Sequence, residues 1–430
     1  MKRHAIDKLI EWKNAKKRKP LILRGARQVG KTWLIKEFGG AYFDNTAYIN
    51  FDNNARMSVL FDGDYDIFRL IDGLQVESGV KINPQTTLII FDEVQEVPKA
   101  LSSLKYFYEN APEYAIVAAG SLLGVALHQG TSFPVGKVDF CYLYPLSFCE
   151  FLEGVGEEKL VELLRKKDWK LISAFSSKYI DLLRKFYYIG GMPEAVDEYI
   201  NTNSYAKVRR VHEQILLTYE QDFSKHAPVY TVPRIRSVWN SIPAQLSREN
   251  KKFSPGIVQK GSRLGDYEMA LQWLLDCGLT YKVKQVSKPS FPLISYETSF
   301  FKIFIHDVGL LGAMSDLDVK TLLEGNRIFE EFKGALTEQY VLQEMTANGV
   351  TPYYWSSNGT AEVDFVFKMG SDIYPLEAKA EENLQGKSLK LYHERFKPPV
   401  SLRTSMKDYR KESWLTNIPL YAIGVEIFRE

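Results

Sequence analysis

Residues 25–32 constrain the fold of this chain more than any other feature. They read GARQVGKT, which matches the phosphate-loop pattern G-x-x-x-x-G-K-[ST] at every fixed position. The apolar run LIL before them predicts a short buried strand, and WLIKEF after them is typical of a helix. In this arrangement backbone N–H groups and a helix N-terminus surround phosphate oxygens. The pattern therefore predicts a nucleotide-binding α/β fold of the P-loop NTPase class.

The loop also predicts which residues contact the nucleotide. Lys31 would reach the β and γ phosphates, and Thr32 would hold Mg²⁺. The predicted nucleotide contacts are Gly25, Ala26, Arg27, Gln28, Val29, Gly30, Lys31, Thr32 and Trp33.

Two further apolar runs lead into residues that are predicted to take part in hydrolysis of the bound nucleotide. The run at 87–91 leads into Asp92 and Glu93. Asp92 would hold Mg²⁺ through water, and Glu93 would polarise the attacking water. A third run at 114–119 ends before Ser121, which is a candidate γ-phosphate sensor or, alternatively, part of a simple strand-ending turn.

Length and composition indicate a multidomain protein of ordinary soluble type. A chain of 430 residues predicts roughly two to four domains. The net charge of +2 is too small to argue for nucleic acid or an acidic membrane. Cys141, Cys149 and Cys277 are scattered and odd in number, which favours core thiols in a reducing compartment. No apolar run approaches the ~18 residues of a membrane span, so we expect a cytoplasmic protein without a membrane partner.

The sequence in the middle of the chain predicts a helical lid followed by a winged-helix-like segment. Residues 153–248 are predicted to form a helical lid interrupted by a GGMP turn. Residues 249–288 have the helix, turn, helix and strand order of a winged helix. Its second helix carries the carboxylates Asp266, Glu268 and Asp276, which DNA phosphates would repel, so a protein-contacting or lid-type role is favoured over DNA reading.

The last quarter of the chain combines carboxylates and a lysine on adjacent predicted strands. A helix from about 329 to 348 carries Glu338, and strands at 353–357 and 362–367 follow, the second with Asp364. Glu377 and Lys379 lie two positions apart on the next strand and so share one face. Asp364 and Glu377 could share a Mg²⁺ ion, although alternating charged and apolar residues are also typical of an ordinary half-buried strand.

Five motifs in combination point to a family. In order they are GARQVGKT, LIIFDEVQ, AAGSLLG, YPLSFCEF and YIGGMPEAV. The set resembles the bacterial and archaeal AAA-type ATPases that carry a C-terminal domain of unknown function. The resemblance implies ATP as the nucleotide, a homo-oligomer or other protein partner, and an adenine contact at the Gly191-Met192-Pro193 turn. The family often has Gly-Arg where this chain has Gly136-Lys137, so no arginine finger is assigned.

The C-terminal order of helix, strand, hairpin and E-x-K resembles the PD-(D/E)xK nuclease superfamily. This implies a restriction-endonuclease-like α/β domain acting on DNA or RNA. Glu338, Asp364 and Glu377 would form its metal shell, and Lys379 would position the attacking water.

These predictions define domains and two functional hypotheses. The predicted domains are a P-loop ATPase core at 1–152, a helical lid at 153–248, a winged-helix-like segment at 249–288 and a nuclease-like domain at 289–430. In the first hypothesis, ATP hydrolysis controls the nuclease-like domain. In the alternative, the chain is an ATP-driven regulatory or signalling scaffold whose C-terminal domain is a catalytically inert binding module.

Overall fold

The computed structural model describes residues 1–120, 134, 136–320, 327–357, 361–380 and 386–427, and for 327–331 only the backbone. These residues form two compact units. The N-terminal unit consists of Arg3–Tyr144 with Asp276–Leu279, and the C-terminal unit consists of Met1–Lys2, Pro145–Leu275 and Thr280–Glu430.

The N-terminal unit is built on a parallel sheet, as the α/β prediction requires. Within the described residues its strand order is β2-β3-β4-β1-β5, with every neighbouring pair parallel. Strands β3 and β4 are buried along their whole length, which is typical of parallel sheets covered on both faces. The strands are β1 (Leu21–Arg24), β2 (Asn45–Asn50), β3 (Thr87–Asp92), β4 (Ala115–Ala119) and β5 (Asp139–Tyr142).

Helices of the same unit connect these strands. They are α1 (Ala5–Asn14), α2 (Lys31–Tyr42), α3 (Ala55–Asp62), α4 (Ile67–Ser78) and α5 (Pro98–Asn110). The rings of Phe51, Phe61 and Phe91 pack against one another in the core beside the sheet. Since parallel strands end at the same edge, the residues after β1 and β3 are brought to one side of the sheet.

The C-terminal unit begins with a helical region, as predicted. Its helices are α6 (Phe148–Gly154), α7 (Glu158–Lys166), α8 (Trp169–Ala174), α9 (Ser176–Ile189), α10 (Pro193–Thr202), α11 (Tyr205–His226), α12 (Val232–Leu246), α13 (Pro255–Val258) and α14 (Glu268–Asp276), whose last residue is assigned to the other unit. The sheet region adds α15 (Val308–Met314), α16 (Arg327–Ala347), α17 (Lys387–Phe396) and α18 (Ile423–Glu426).

A mixed sheet organises the rest of the C-terminal unit. Within the described residues its order is β12-β13-β11-β10-β9-β8-β6-β7. The hairpin of β9 and β10 is antiparallel, whereas β10 and β11 are parallel. The strands are β6 (Thr280–Val286), β7 (Glu297–Ile305), β8 (Tyr353–Ser356), β9 (Glu362–Met369), β10 (Asp372–Ala378), β11 (Ser401–Ser405), β12 (Arg410–Lys411) and β13 (Leu415–Pro419).

The helix, strand and hairpin predicted after residue 329 are present as α16, β8, β9 and β10. Two of the predicted domain boundaries can be compared with the helices and strands of the structure. The boundary after 152 lies within α6, and the boundary after 288 separates β6 from β7, which pair with each other. The strand of the predicted winged helix is therefore part of the large sheet, because β6 also pairs with β8.

The predictions about membrane spans and about the cysteines can be compared with the structure. Within the described ranges, no helix combines the length and apolar character needed to cross a membrane. Cys141, Cys149 and Cys277 are buried free thiols, as the core interpretation predicted.

Candidate nucleotide site and C-terminal acidic cluster

The phosphate loop depends on glycine at its two ends. Gly25 has a φ of 157°, and a Cβ placed on it would lie 2.2 Å from the carbonyl oxygen of Leu143. Gly30 has a φ of 92°, in the left-handed region, immediately before the first residue of α2. Gln28 is also left-handed, with a φ of 66°, although it is not a glycine. Such backbone strain is concentrated at ligand-binding loops.

Lys31 is buried beneath the loop. Its Nζ donates hydrogen bonds to the carbonyl oxygens of Gly25 at 2.9 Å and Ala26 at 2.7 Å. Burial lowers the pKa of Lys31 to about 8, although the carboxylates of Glu93 and Asp92 act in the opposite direction. The Lys31 ammonium therefore interacts electrostatically with both carboxylates of the acidic pair, and its contact with phosphates stays a prediction.

Thr32 and Asp92 meet at the edge of the sheet. The Thr32 hydroxyl donates a hydrogen bond to Asp92 Oδ2 at 2.9 Å, and the Tyr48 hydroxyl donates to the same oxygen at 2.8 Å. A hydroxyl and a carboxylate in contact are suitable oxygen donors for Mg²⁺. Tyr48 was not predicted, because a tyrosine on β2 gives no local signal that it will contact the end of β3.

Glu93 turns away from the strand direction directly after Asp92. Its φ of 51° places it in the left-handed region, and its backbone N–H donates to Asp92 Oδ1 at 3.2 Å. Gln95 Nε2 donates to Glu93 Oε2 at 2.7 Å, which orients the carboxylate. Such an oriented carboxylate, next to the magnesium-type donors, is suited to polarise a water molecule.

Two parts of the chain distant in sequence support the loop. Arg3 donates to the carbonyl oxygens of Val29 at 2.8 Å and Tyr144 at 2.6 Å. Gly278 lies so close that a Cβ on it would be 3.4 Å from the backbone nitrogen of Ala26. Sequence reasoning missed both residues, since neither is near the motif in the chain.

The other residues predicted near the nucleotide include Arg27, Trp33, Ser121 and Pro193. Arg27 and Trp33 are exposed, and Ser121 lies outside the described residues. Lys137, at the position discussed for an arginine finger, forms an ion pair with Glu109 at 2.9 Å. Pro193 begins α10 in the C-terminal unit, so its adenine contact stays a prediction.

Close contacts of Gly191 with Asp307 and Leu146 constrain the GGMP turn. Gly191 N–H donates to Asp307 Oδ2 at 2.6 Å, and Leu146 N–H donates to Gly191 O at 2.7 Å. A Cβ on Gly191 would lie 2.2 Å from Leu146 O. Burial raises the pKa of Asp307 to about 6, although several backbone N–H groups favour its charged form.

The C-terminal unit brings the predicted carboxylates and lysine together. Lys379 Nζ lies 2.9 Å from Glu377 Oε1, and Ala378 N–H donates to Asp364 Oδ2 at 2.8 Å. Glu377 Oε2 is buried and has no hydrogen-bond partner within the described residues. Burial, together with the charges of Glu338 and Glu377, raises the pKa of Asp364 to about 8 against the opposing effect of Lys302.

Two lysines that the sequence did not single out hold Glu338. Lys251 forms an ion pair with Glu338 Oε1, and Lys302 Nζ lies 3.5 Å from Oε2 and 2.6 Å from Glu362 Oε1. Burial alone would raise the pKa of Glu338, but the two lysines lower it to about 2. Within the described residues, no group of three or more His, Cys, Asp or Glu side chains has metal-binding geometry.

Comparison with known families divides the chain into three matched regions. Residues 17–152 match AAA_14, described as an AAA domain. Residues 180–321 match DUF8612 and residues 333–423 match DUF4143, both described as domains of unknown function. A search of curated proteins found no significant relative of this chain.

Several solved structures are distantly similar to this chain. A Walker-type ATPase of Pyrococcus abyssi is 15% identical, with 72% of this chain and 94% of that chain covered and a TM-score of 0.44. The Aeropyrum pernix ORC1 protein in complex with DNA is 13% identical, with 73% and 91% covered and a TM-score of 0.28. Cdc6p from Pyrobaculum aerophilum is 10% identical, with 75% and 92% covered and a TM-score of 0.24.

Proposed function

We propose that this chain, an AAA-type ATPase by the match of residues 17–152, hydrolyses ATP with Mg²⁺ at the loop of its N-terminal unit. The observation that carries the proposal is the 2.9 Å hydrogen bond between Thr32 and Asp92. It joins the phosphate loop to the acidic pair, so that nucleotide binding and hydrolysis share one edge of the sheet.

Each side chain has a distinct role in this reaction. The Lys31 ammonium would neutralise the β and γ phosphate oxygens, and Thr32 and Asp92 would hold Mg²⁺. Glu93, oriented by Gln95, would accept a proton from the attacking water. Bound Mg²⁺ would supply neutralisation of the negative charge on the phosphates.

Two variants separate binding from turnover. We expect Glu93→Gln to bind a fluorescent ATP analogue normally while phosphate release falls about 10²–10⁴-fold, the usual contribution of a general base. Lys31→Ala should lose both binding and turnover. ATP hydrolysis that survives Lys31→Ala would contradict the proposal.

A second candidate function is metal-dependent cleavage of nucleic acid in the C-terminal unit. It is favoured by the buried Glu377 Oε2, which has no hydrogen-bond partner among the described residues and lies close to Asp364 and Lys379. Buried carboxylate oxygens need a cation or a donor, and Asp364 and Glu377 are oxygen ligands of the type that Mg²⁺ prefers. Glu338 is neutralised by Lys251 and Lys302, so we give it a positioning role.

Cleavage is tested with single- and double-stranded DNA and RNA, with Mg²⁺ or Mn²⁺, in the presence and absence of ATP. Cutting that is lost in Glu377→Ala/Lys379→Ala but retained in Lys390→Ala would support the nuclease role. A response of cutting to ATP, abolished in Lys31→Ala, would support control by the N-terminal unit.

The alternative is a regulatory scaffold with an inert C-terminal module. No cutting under any condition, with ATP hydrolysis intact, would favour it. Association of the chain with itself or with a protein partner should then depend on ATP and be lost in Lys31→Ala. The cytoplasmic location stays a prediction in both cases.

A further inference from the structure

A cavity lies at the edge of the N-terminal sheet opposite to the phosphate loop. It has a volume of about 520 Å³ and is lined by residues 15–18, before β1, and by Tyr108, Pro112 and Glu113, in and just after the last turn of α5. Because β1 and β4 are parallel, both lining segments lie where these strands begin. The phosphate loop follows the other end of β1, which spans four residues at about 3.3 Å each. The cavity is therefore separate from the candidate nucleotide site.

The side chains that line this cavity carry more positive than negative charge. Lys16, Lys17 and Arg18 are consecutive in the chain, and Glu113 is the acidic residue among those that line the cavity. Lys16 and Lys17 are exposed and form no ion pair or hydrogen bond within the described residues. Their two ammonium groups are therefore available for an anionic ligand.

Arg18 is held in place while one of its donors is unused. Its Nη2 donates to Glu113 O at 2.9 Å, and its Nη1 donates to Lys13 O at 3.4 Å. Its guanidinium carbon lies 5.4 Å from the ring centre of Trp12. Its Nε is buried and has no hydrogen-bond partner within the described residues. A buried donor without an acceptor is unfavourable, so a ligand oxygen that accepts from Nε would stabilise this arrangement.

Two further lysines lie beside Tyr108. Lys19 Nζ is 5.8 Å and Lys137 Nζ is 5.6 Å from the centre of the Tyr108 ring. Lys19 donates to the carbonyl oxygen of Gly136 at 2.9 Å and keeps its charge unpaired, whereas Lys137 pairs with Glu109 at 2.9 Å. Lys19 therefore adds to the positive potential around the cavity, while the charge of Lys137 is offset.

The size and charge of the cavity favour a phosphate ester as its ligand. A volume of about 520 Å³ falls within the roughly 300–1,000 Å³ of small-molecule sites. A phosphate monoester carries about −1.5 to −2 charges and three acceptor oxygens at pH 7, and a nucleic-acid strand carries one charge per phosphate. Either can contact several cations at once, with charge-assisted hydrogen bonds to lysine and arginine. A single carboxylate has fewer oxygens and less charge for the same cations.

We infer that this cavity binds a phosphate ester whose oxygens contact Lys16, Lys17 and Arg18. A free nucleotide and a nucleic-acid strand both present this chemistry, and the test below distinguishes the two sources. The site lies outside the phosphate loop and outside the C-terminal unit. The inference therefore requires neither ATP hydrolysis nor cleavage of nucleic acid.

The test measures ligand binding to full-length variants that all carry Lys31→Ala, which is expected to remove nucleotide binding at the phosphate loop. One arm titrates a fluorescent analogue of AMP, which lacks the β and γ phosphates that Lys31 is predicted to contact. The other arm titrates a short labelled single-stranded DNA. EDTA is present in both arms, so neither hydrolysis nor cleavage contributes. Failure of this inference is then distinct from failure of the proposed function, which is measured by phosphate release and cutting.

We expect Lys16→Gln/Lys17→Gln to weaken binding of at least one probe about 3- to 30-fold, since an exposed charge contact contributes up to about fivefold. With DNA, the slope of log K against log salt should also fall by about 1.4, because each phosphate contact on a single strand contributes about 0.7. A loss with AMP alone identifies a free nucleotide as the ligand, and a loss with DNA alone identifies a strand. A loss with both supports recognition of the phosphate ester itself.

Glu113→Gln gives a change of opposite sign. It removes the carboxylate that opposes an anion and keeps the backbone oxygen that accepts from Arg18. We expect binding to strengthen about 2- to 5-fold. Weaker binding by Glu113→Gln would contradict the inference.

Lys166→Gln/Lys170→Gln is the matched control. It removes two exposed lysines of α7 and α8 in the C-terminal unit and changes the net charge equally, so it should bind both probes as the parent does. Equal losses in the two lysine pairs would overturn the inference, because net charge alone would explain them. Unchanged affinity of Lys16→Gln/Lys17→Gln in both arms would also overturn it. Thermal unfolding midpoints equal to that of the parent would show that a loss of binding does not arise from unfolding.

Discussion

The hydroxyl of Thr32 donates a hydrogen bond to Asp92 across 60 residues of sequence, at 2.9 Å. The first residue lies in the opening turn of α2 and the second at the end of β3. Parallel strands that end at one edge bring the two together. This contact links the second residue of α2 to Asp92, the first residue of the acidic pair.

Asp92→Asn tests the role of this contact in magnesium binding. The amide keeps the shape of the side chain but lacks the negative charge that attracts the cation. We expect the Mg²⁺ concentration for half-maximal ATP hydrolysis to rise about 10- to 100-fold, as for other residues that support a metal site. Tyr48→Phe removes one hydrogen bond to the same oxygen and keeps the charge, so its effect should be below about tenfold. Equal effects of the two variants would contradict a magnesium role for the carboxylate.

Gly191→Ala tests the packing of the GGMP turn. The added Cβ would lie 2.2 Å from Leu146 O, which is backbone and cannot rotate away. We expect the free energy of unfolding to fall by about 1–3 kcal/mol or more, as in other overpacked sites. Gly40→Ala in α2 is the control, since nothing lies within 4 Å of its added Cβ, and it should gain about 0.5–1 kcal/mol from helix propensity. Urea unfolding followed by tryptophan fluorescence measures both, and a neutral Gly191→Ala would show that the turn can relax.

The buried Asp307 predicts a specific dependence of stability on pH. Its pKa is about 6 in the folded chain, above the ordinary value of 3.8, because burial disfavours the charged form. Proton binding therefore favours the folded state, and this contribution is fully present below about pH 4 and is lost as the pH rises through about 6. The wild type should lose stability relative to Asp307→Asn between these two pH values. Thermal unfolding midpoints of both proteins at pH 4, 5, 6 and 7 measure the difference, which should be constant if Asp307 has an ordinary pKa.

Lys302→Met should destabilise the C-terminal unit because it removes the buried cation that Glu338 and Glu362 share and leaves Glu338 with Lys251 alone. Lys302 is 1% exposed and contacts Glu338 and Glu362. Removing one partner of a buried ion pair costs about 3–5 kcal/mol. Lys284→Met breaks an ion pair of the same 2.6 Å length, but Lys284 is 42% exposed, so its loss should cost only about 0–1 kcal/mol. Urea unfolding measures the free energy of unfolding of both variants. Similar losses would show that burial does not determine how much each ion pair contributes to stability.

The sequence alone predicts the parts of the molecule that depend on neighbouring residues in the chain. The spacing of glycines, Lys31 and Thr32 predicts a loop that wraps phosphate, since a phosphate loop requires left-handed backbone and free N–H groups at fixed positions. The apolar runs before Asp92 and around Asp364 predict strands, since burial on a sheet has a period of two or a continuous run. The structure contains these strands as β3 and β9, and the glycine-rich segment lies between β1 and α2.

Only the tertiary structure decides which distant side chains complete each site. Tyr48 and Arg3 contact the candidate nucleotide site, and Lys251 and Lys302 neutralise Glu338, although none of the four belongs to a recognisable motif. The predicted domain boundary after residue 288 falls between β6 and β7, which pair with each other. The sequence does not reveal this pairing, because it depends on the register of the whole sheet. Contacts of this kind arise from packing of elements far apart in the chain, for which local periodicity and spacing carry no information.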